Sequence, residues 1–223
     1  MKTIIVTGGS GGIGLETIKR LIKSGHRVVN LSRRQPPVGA DTDNFIHLPT
    51  DLKNIDSGNL RLKLNELGKI DIIFNNAGML INKPFLSITH QELVDVYQTN
   101  VFSVFTLVQI AFDFLAPDAH VVNVSSIGGI NGTQKFPGLS AYSSSKGALT
   151  ILTECLQAEF SNTGMSFNGL AFGAVQTEML ENAFPGYRAP ITADKISEFV
   201  VWFLLHGNTF FKGKILPVSI SNP

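Results

Sequence analysis

The stretch Thr7-Gly8-Gly9-Ser10-Gly11-Gly12-Ile13-Gly14 constrains this chain more than any other. It follows the short apolar run Ile4-Ile5-Val6 and leads into a helical pattern from Leu15 to Ser24 that stops at Gly25. A strand, a glycine turn and a helix start, in that order, leave free N–H groups aimed at one spot, which makes an anion site. The glycine excess leaves the spacing open. Gly8, Gly12 and Gly14 read G-x-x-x-G-x-G; Gly9, Gly11 and Gly14 read G-x-G-x-x-G; Gly8, Gly11 and Gly14 read G-x-x-G-x-x-G. All three belong to dinucleotide-binding folds, and the strand–helix setting argues against a merely flexible turn.

The rest of the chain alternates in the same way. Apolar runs at Val28–Leu31, Phe45–Leu48, Asp71–Phe74, His120–Val124, Met165–Phe172 and Lys214–Val218 read as further strands. Helical spacing is expected over Asp56–Leu67, about Thr89–Leu115, from Tyr142 to Phe160, and over Asp194–Leu205. Strands alternating with helices predict a parallel, doubly wound α/β sheet of seven strands. A ligand of such a sheet lies at the carboxyl ends of its strands. Gly8, Ser32, Asn76, Ser126 and Thr177 all fall on that edge. His47, alone among apolar neighbours, reads as structural.

Charge, cysteine content and hydropathy exclude several classes. With 223 residues, a net charge of +1 and scattered Lys and Arg, the chain has no basic stripe for nucleic acid. One cysteine, Cys155, rules out an internal disulfide and fits a reducing cytoplasm. The start, Met1-Lys2-Thr3 before three apolar residues, is too short for a secretory leader, and no apolar run reaches membrane-spanning length. The expectation is one domain over residues 1–223, with no metal cluster, membrane or nucleic-acid partner.

Two places carry chemistry. At the end of the second strand, where a NAD-type site sets an acid against the ribose 2′-OH, stand Ser32, Arg33 and Arg34. No carboxylate and two cations suit a 2′-phosphate, hence NADP(H). Further on, Tyr142 and Lys146 stand four apart, on one face of a helix. A phenol titrates near ~10. A neighbouring ammonium favours the phenolate and would bring that value toward neutrality, as a general acid for carbonyl reduction requires. Asn100, in mid-helix among apolar neighbours, needs partners for its amide.

Thr7–Gly14, Asp51-Leu52, Asn75–Gly78, Asn100, Val122–Ser126, Tyr142–Lys146, Asn168–Gly173 and Thr177, in this order, resemble the short-chain dehydrogenase/reductase family over nearly the whole chain. The resemblance implies a Rossmann-type three-layer sandwich around a mostly parallel seven-stranded sheet. It implies that Tyr142 is the proton donor and acceptor and that Lys146 holds the nicotinamide ribose and lowers the Tyr142 pKa. Asn100 would anchor a water in a proton relay. Ser126, favoured over Ser125, would bond the substrate oxygen. For the cofactor it implies Gly8, Ser10, Gly12, Ile13 and Gly14 at the glycine turn, and Ser32, Arg33 and Arg34 at the 2′-phosphate. Asp51, Leu52, Asn76, Ala77 and Gly78 would hold the adenosine side, and Val175 and Thr177 the carboxamide. The nearest activity is reduction of a small-molecule or carrier-bound carbonyl, of 3-oxoacyl type, by a homodimer or homotetramer. The alternatives are a non-catalytic NADP(H)-binding regulatory or assembly subunit, or a sugar-nucleotide epimerase.

Three departures from the family pattern stand out. The interval from Ser126 to Tyr142 is longer than usual by about three residues, Phe172 replaces the proline of Pro-Gly, and Thr177–Thr192 is short for a substrate lid.

Overall fold

The computed structural model describes residues 1–38 and 44–220. Seven strands form one sheet: β1 (Thr3–Thr7), β2 (Arg27–Ser32), β3 (Phe45–Pro49), β4 (Ile70–Asn75), β5 (Leu115–Ser126), β6 (Ser166–Phe172) and β7 (Ile215–Val218). Their order is β3-β2-β1-β4-β5-β6-β7, and every neighbouring pair is parallel, so the sheet is wholly rather than mostly parallel.

Alternating side chains of each strand feed opposite faces. Ile5, Val29, Ile73, Val121 and Phe167 pack under α2 (Ser57–Leu67), α4 (Ser103–Ala111) and α5 (Ser140–Glu159). Ile4, Val6, Val28, Phe74, Val122 and Leu170 pack under α1 (Gly12–Lys23) and α7 (Ala193–Phe210), through Ile18, Leu21, Val200 and Phe203. Each fully buried Leu, Ile or Phe contributes about 1.5–3 kcal/mol relative to exposure. Both faces are therefore covered, and the central strands read as continuous apolar runs. The strand order turns about β1 and β4, and the crevice at that point opens at their carboxyl ends.

The helical segment expected over about Thr89–Leu115 runs without a gap from His90 to Phe114 but is not α throughout. It consists of α3 (His90–Tyr97), a π-helical turn (Gln98–Phe102), α4 and a 3-10 turn (Phe112–Phe114). Leu115 already belongs to β5, which begins five residues before the expected His120. Pro117 explains the stop at Phe114, because it cannot continue a helix and pushes its predecessor to extended backbone. It sits exposed with Asp118 where the β4–β5 register shifts, outside the continuous ladder, as a strand proline must. α5 begins at Ser140, so Tyr142 lies within its first turn rather than opening it. A short helix unforeseen in the sequence, α6 (Glu178–Ala183), follows the N-cap Thr177.

Candidate active site

The carboxyl edge of the sheet opens into one cleft of about 580 Å³. Its floor is the glycine turn. Gly8 and Gly12 have φ of 69° and 54°, the left-handed region that suits glycine. A Cβ on Gly8 would stand 2.8 Å from the Ala77 Cα, and one on Gly14 would meet the Asn76 amide and the Gly8 carbonyl. Gly11 is extended with open space around it, so nothing there demands glycine. The structure thus selects the Gly8-Gly12-Gly14 spacing. No side chain caps α1, and its first turn holds no acid, so the N–H groups beside Ser10, Gly12 and Ile13 are left for a ligand.

The cleft side of this turn is pinned from β4. Asn76 Nδ2 donates to the Thr7 and Gly8 carbonyls at 3.0 and 3.3 Å, and the Asn76 and Ala77 amides both donate to Thr7 Oγ1 at 3.0 Å. Asn76 thus faces the protein, and Ala77 and Gly78 present their backbone to the cleft. Across it lie Asp51 and Leu52; the Asp51 carboxylate accepts from the Lys53 amide at 3.1 Å and keeps its exposure. Val175 and Thr177 close the opposite wall, Thr177 capping α6 through Leu180 N at 3.2 Å.

Arg33 and Arg34 line the cleft beyond β2, exposed, and neither side chain bonds another described residue. Ser32 departs from expectation. It is buried, and its hydroxyl hydrogen goes to the Arg34 carbonyl at 2.7 Å, so it has none to offer a phosphate.

At the inner end stand Ser126, Tyr142 and Lys146. Neighbours on β5 point to opposite faces, and Ser125 turns under α5, where its hydroxyl meets the Lys146 carbonyl and Thr150 Oγ1, both at 3.0 Å. Ser126 faces the cleft, accepting from Gly128 N at 3.2 Å. Lys146 is buried, its Nζ donating to the Val124 carbonyl at 2.7 Å and lying 5.9 Å from the Tyr142 ring centroid. Burial brings the lysine down to about 8. Burial pushes the Tyr142 phenol up to about 12, opposed only by hydrogen bonding with Ser126. The expected lowering of Tyr142 by Lys146 is therefore absent in the free protein. The ammonium faces the Val124 carbonyl of β5, and burial is the dominant influence on the phenol.

Asn100 has the partners that its amide needs. It lies in the π-helical turn, fully buried and outside the cleft wall. Its Oδ1 accepts from Met79 N at 2.7 Å and its Nδ2 donates to the Met79 carbonyl and to Ser145 Oγ, each at 2.9 Å. With the amide so engaged, its side chain braces the turn after Gly78.

The long interval before Tyr142 folds on itself. Thr133 Oγ1 donates to the Ile127 and Ile130 carbonyls, and Lys135 Nζ caps Ile130 and Thr133. Lys83 N donates to the Gly138 carbonyl at 3.0 Å, docking the loop on the 79–84 segment. Phe172, in place of proline, ends β6 opposite Ser126 and joins the α7-side core, so packing supplies the rigidity a proline ring would have. Sequence reasoning missed Met79, Leu80, Met179 and Asn182, which line both the main cleft and a side pocket of about 290 Å³. Their adjacency to Gly78 and Thr177 was the available signal. Among the described residues no group of acidic, His and Cys side chains could hold a metal ion, and no helix is long and apolar enough to cross a membrane.

The family model for short chain dehydrogenases matches residues 2–188. The chain is 35% identical over 195 residues to L-2,3-butanediol dehydrogenase of Corynebacterium glutamicum, covering 81% of this chain and 74% of that protein. It is 31% identical over 220 residues to farnesol dehydrogenase of Aedes aegypti, covering 91% and 89%. Among solved structures it resembles 4-hydroxyisoleucine dehydrogenase complexed with NADH (TM-score 0.87, 23% identity, 98% and 97% covered) and ElxO with NADP bound (TM-score 0.83, 23% identity, 98% and 97% covered).

Proposed function

The chain belongs to the short-chain dehydrogenase family, and from that premise we propose that it is an NADP(H)-dependent oxidoreductase interconverting a carbonyl and an alcohol. The observation that carries the reading is the meeting of Ser126, Tyr142 and buried Lys146 at the inner end of a cleft floored by an uncapped helix start. Bare backbone at Gly8 and Gly12 fits a pyrophosphate, as a Cβ on Gly12 would reach to 3.3 Å from Thr177 Cγ2. Ser10, Gly12 and Ile13 would hold the phosphates, Asp51, Leu52 and Ala77–Gly78 the adenosine, Val175 and Thr177 the carboxamide, and Lys146 the ribose. Arg33 and Arg34 would take the 2′-phosphate, by charge-assisted bonds that no neighbouring described side chain now claims.

The bound nicotinamide supplies or accepts the hydride. This chain's part is to hold the substrate oxygen and move its proton. Ser126 Oγ donates toward that oxygen as negative charge develops, and Tyr142 Oη delivers the proton. A phenol near 12 in the free protein is fully protonated at neutral pH and ready for the reductive direction. In oxidation the same phenol must first lose its proton, so that direction gains as pH rises. Lys146, an ammonium below about 8, supplies positive charge behind the ring.

The relatives named above are dehydrogenases of butanediol and farnesol, so alcohols and the matching ketones or aldehydes are the first substrates to try. Phe102, Phe105 and Ile151 stay about half exposed on the π-turn, α4 and α5, which supports a homo-oligomer paired through this layer. Cys155, exposed and free, suits a reducing cytoplasm. NADPH and NADH consumption over short diketones, 3-oxoacyl thioesters, quinones and steroids tests the reading. Turnover with at least one ketone is expected; none across the panel would favour a non-catalytic cofactor-binding subunit.

A further inference from the structure

Asn30 stands in β2, fully buried, and takes no part in the chemistry above. An amide in a strand interior is poorly suited to its place unless every polar atom is paired. Here each one is. Oδ1 accepts from Gly9 N at 3.0 Å, while Nδ2 donates to Ser32 Oγ at 2.8 Å and lies 3.1 Å from His47 Nδ1. Ser32 in turn donates its only hydrogen to the Arg34 carbonyl at 2.7 Å. The two ends of this chain are backbone groups, a donor at Gly9 and an acceptor at Arg34, and neither can reverse. They fix the amide with oxygen toward Gly9, and leave His47 Nδ1 as an acceptor.

We propose that Asn30 is a positioning residue for cofactor selection, a buried cross-link that registers the glycine turn against the Arg33–Arg34 turn. The proposal rests on the NADP(H) reading above for its ligand, but the cross-link itself stands on the bonds just given. Glycine at position 9 is part of the same device, since a Cβ there would collide with Asn30 Oδ1 and Ile18 Cδ1. The adjoining rung, Gly8 N to the Leu31 carbonyl at 3.0 Å, ties the same two segments by backbone. Ser32 then acts on the 2′-phosphate at one remove: it holds the turn from which the two guanidinium groups reach. Pyrophosphate is common to both cofactors and the 2′-phosphate is not, so the two ends of the cross-link have separable effects.

Calorimetric titration of the wild type, Asn30→Val, Ser32→Ala and Ser32→Thr with NADPH and with NADH tests this. Ser32→Ala should weaken NADPH about three- to tenfold and NADH by much less, because only the slight loosening at Gly9 reaches the pyrophosphate that both cofactors share. Ser32→Thr, which keeps the hydroxyl, should restore NADPH affinity. Asn30→Val should weaken both cofactors through Gly9, and NADPH by about tenfold more than NADH. Equal losses for the two cofactors in both variants overturn the selective role. Amide hydrogen exchange reads the cross-link without any cofactor: Gly9 should exchange faster in Ser32→Ala, and unchanged exchange overturns the coupling even if Asn30→Val fails to fold. A wild type that binds both cofactors equally overturns the NADP(H) reading instead, and the exchange result then stands alone.

Discussion

Two buried titratable side chains lie along β5, and the protein treats them in opposite ways. His120, 1% exposed near the start of the regular ladder, has both ring nitrogens paired: Nδ1 with the Leu204 carbonyl at 3.2 Å and Nε2 with Asn168 Nδ2 at 3.0 Å. Asn168 is itself filled, donating also to the Phe211 carbonyl and accepting from Lys214 N. Lys146, 2% exposed against the far end of the strand, carries three hydrogens and places one of them, on Val124. Burial depresses both groups, to about 4 for the histidine and about 8 for the lysine. One end of the strand is saturated and serves the fold. The other keeps donor capacity in a dry place, where a charge or a proton has the largest effect on a bound molecule.

Removing the proton donor should break the catalytic end most. Tyr142→Phe keeps the ring and loses the phenol, so kcat should fall by about 10²–10⁴-fold with cofactor affinity nearly unchanged. Near-normal turnover would remove Tyr142 from the chemistry. Lys146→Met should lower turnover and cofactor affinity together; an effect on substrate KM alone would deny it both roles. In wild type, the oxidative rate should rise with pH above neutrality and the reductive rate should not, because only oxidation needs the phenolate. A pH-rate profile in both directions checks this.

The saturated end should respond in stability and not in chemistry. His120 is neutral when folded, with a pKa of about 4 against an ordinary 6.5. As pH falls from 6.5 toward 4 the unfolded chain takes up a proton that the folded one refuses, so stability is lost across that window. The loss is at most about 3 kcal/mol at 1.36 kcal/mol per unit. Denaturant titration between pH 7 and 4 measures it, and His120→Gln should flatten the profile. A variant as acid-sensitive as the wild type would show that another group governs acid unfolding.

The smallest effect belongs to the cleft's outer rim. Arg33→Ala and Arg34→Ala should each be tested; at least one should weaken NADPH by about tenfold and leave NADH alone, with the difference shrinking in salt. Two silent variants would leave the arginines as a solvated turn.

Much of this molecule was legible in its sequence because the signals were local. The apolar runs and their glycine stops place all seven strands, and the alternation of strand and helix dictates a parallel sheet with its cleft at the carboxyl edge. Gly8, Ser32, Asn76, Ser126 and Thr177 could be put on that edge from position alone. Within the helical segment over Thr89–Leu115 the π-turn went unseen because it keeps helical spacing nearly intact, and Pro117, which stops the segment at Phe114, acts from just beyond the expected end. Ser32 was placed correctly but given the wrong partner, and the partners that Asn100 needs could not be named. Nothing within a few residues of Asn100 announces Met79 or Ser145, and nothing near Ser32 shows that Asn30 will direct its hydroxyl to Arg34.

The sequence by itself thus determined which strand ends reach the edge of the sheet and that a glycine turn lies there, while the structure selected Gly8, Gly12 and Gly14 within it. Only the tertiary structure decided how the side chains at that edge are protonated and which way their hydrogens point. Periodicity and turn chemistry act between residues a few positions apart, whereas desolvation and hydrogen bonding depend on what lies nearby in space. Val124 sets the direction of the Lys146 ammonium across 22 residues of chain, and Asn168 sets the tautomer of His120 across 48.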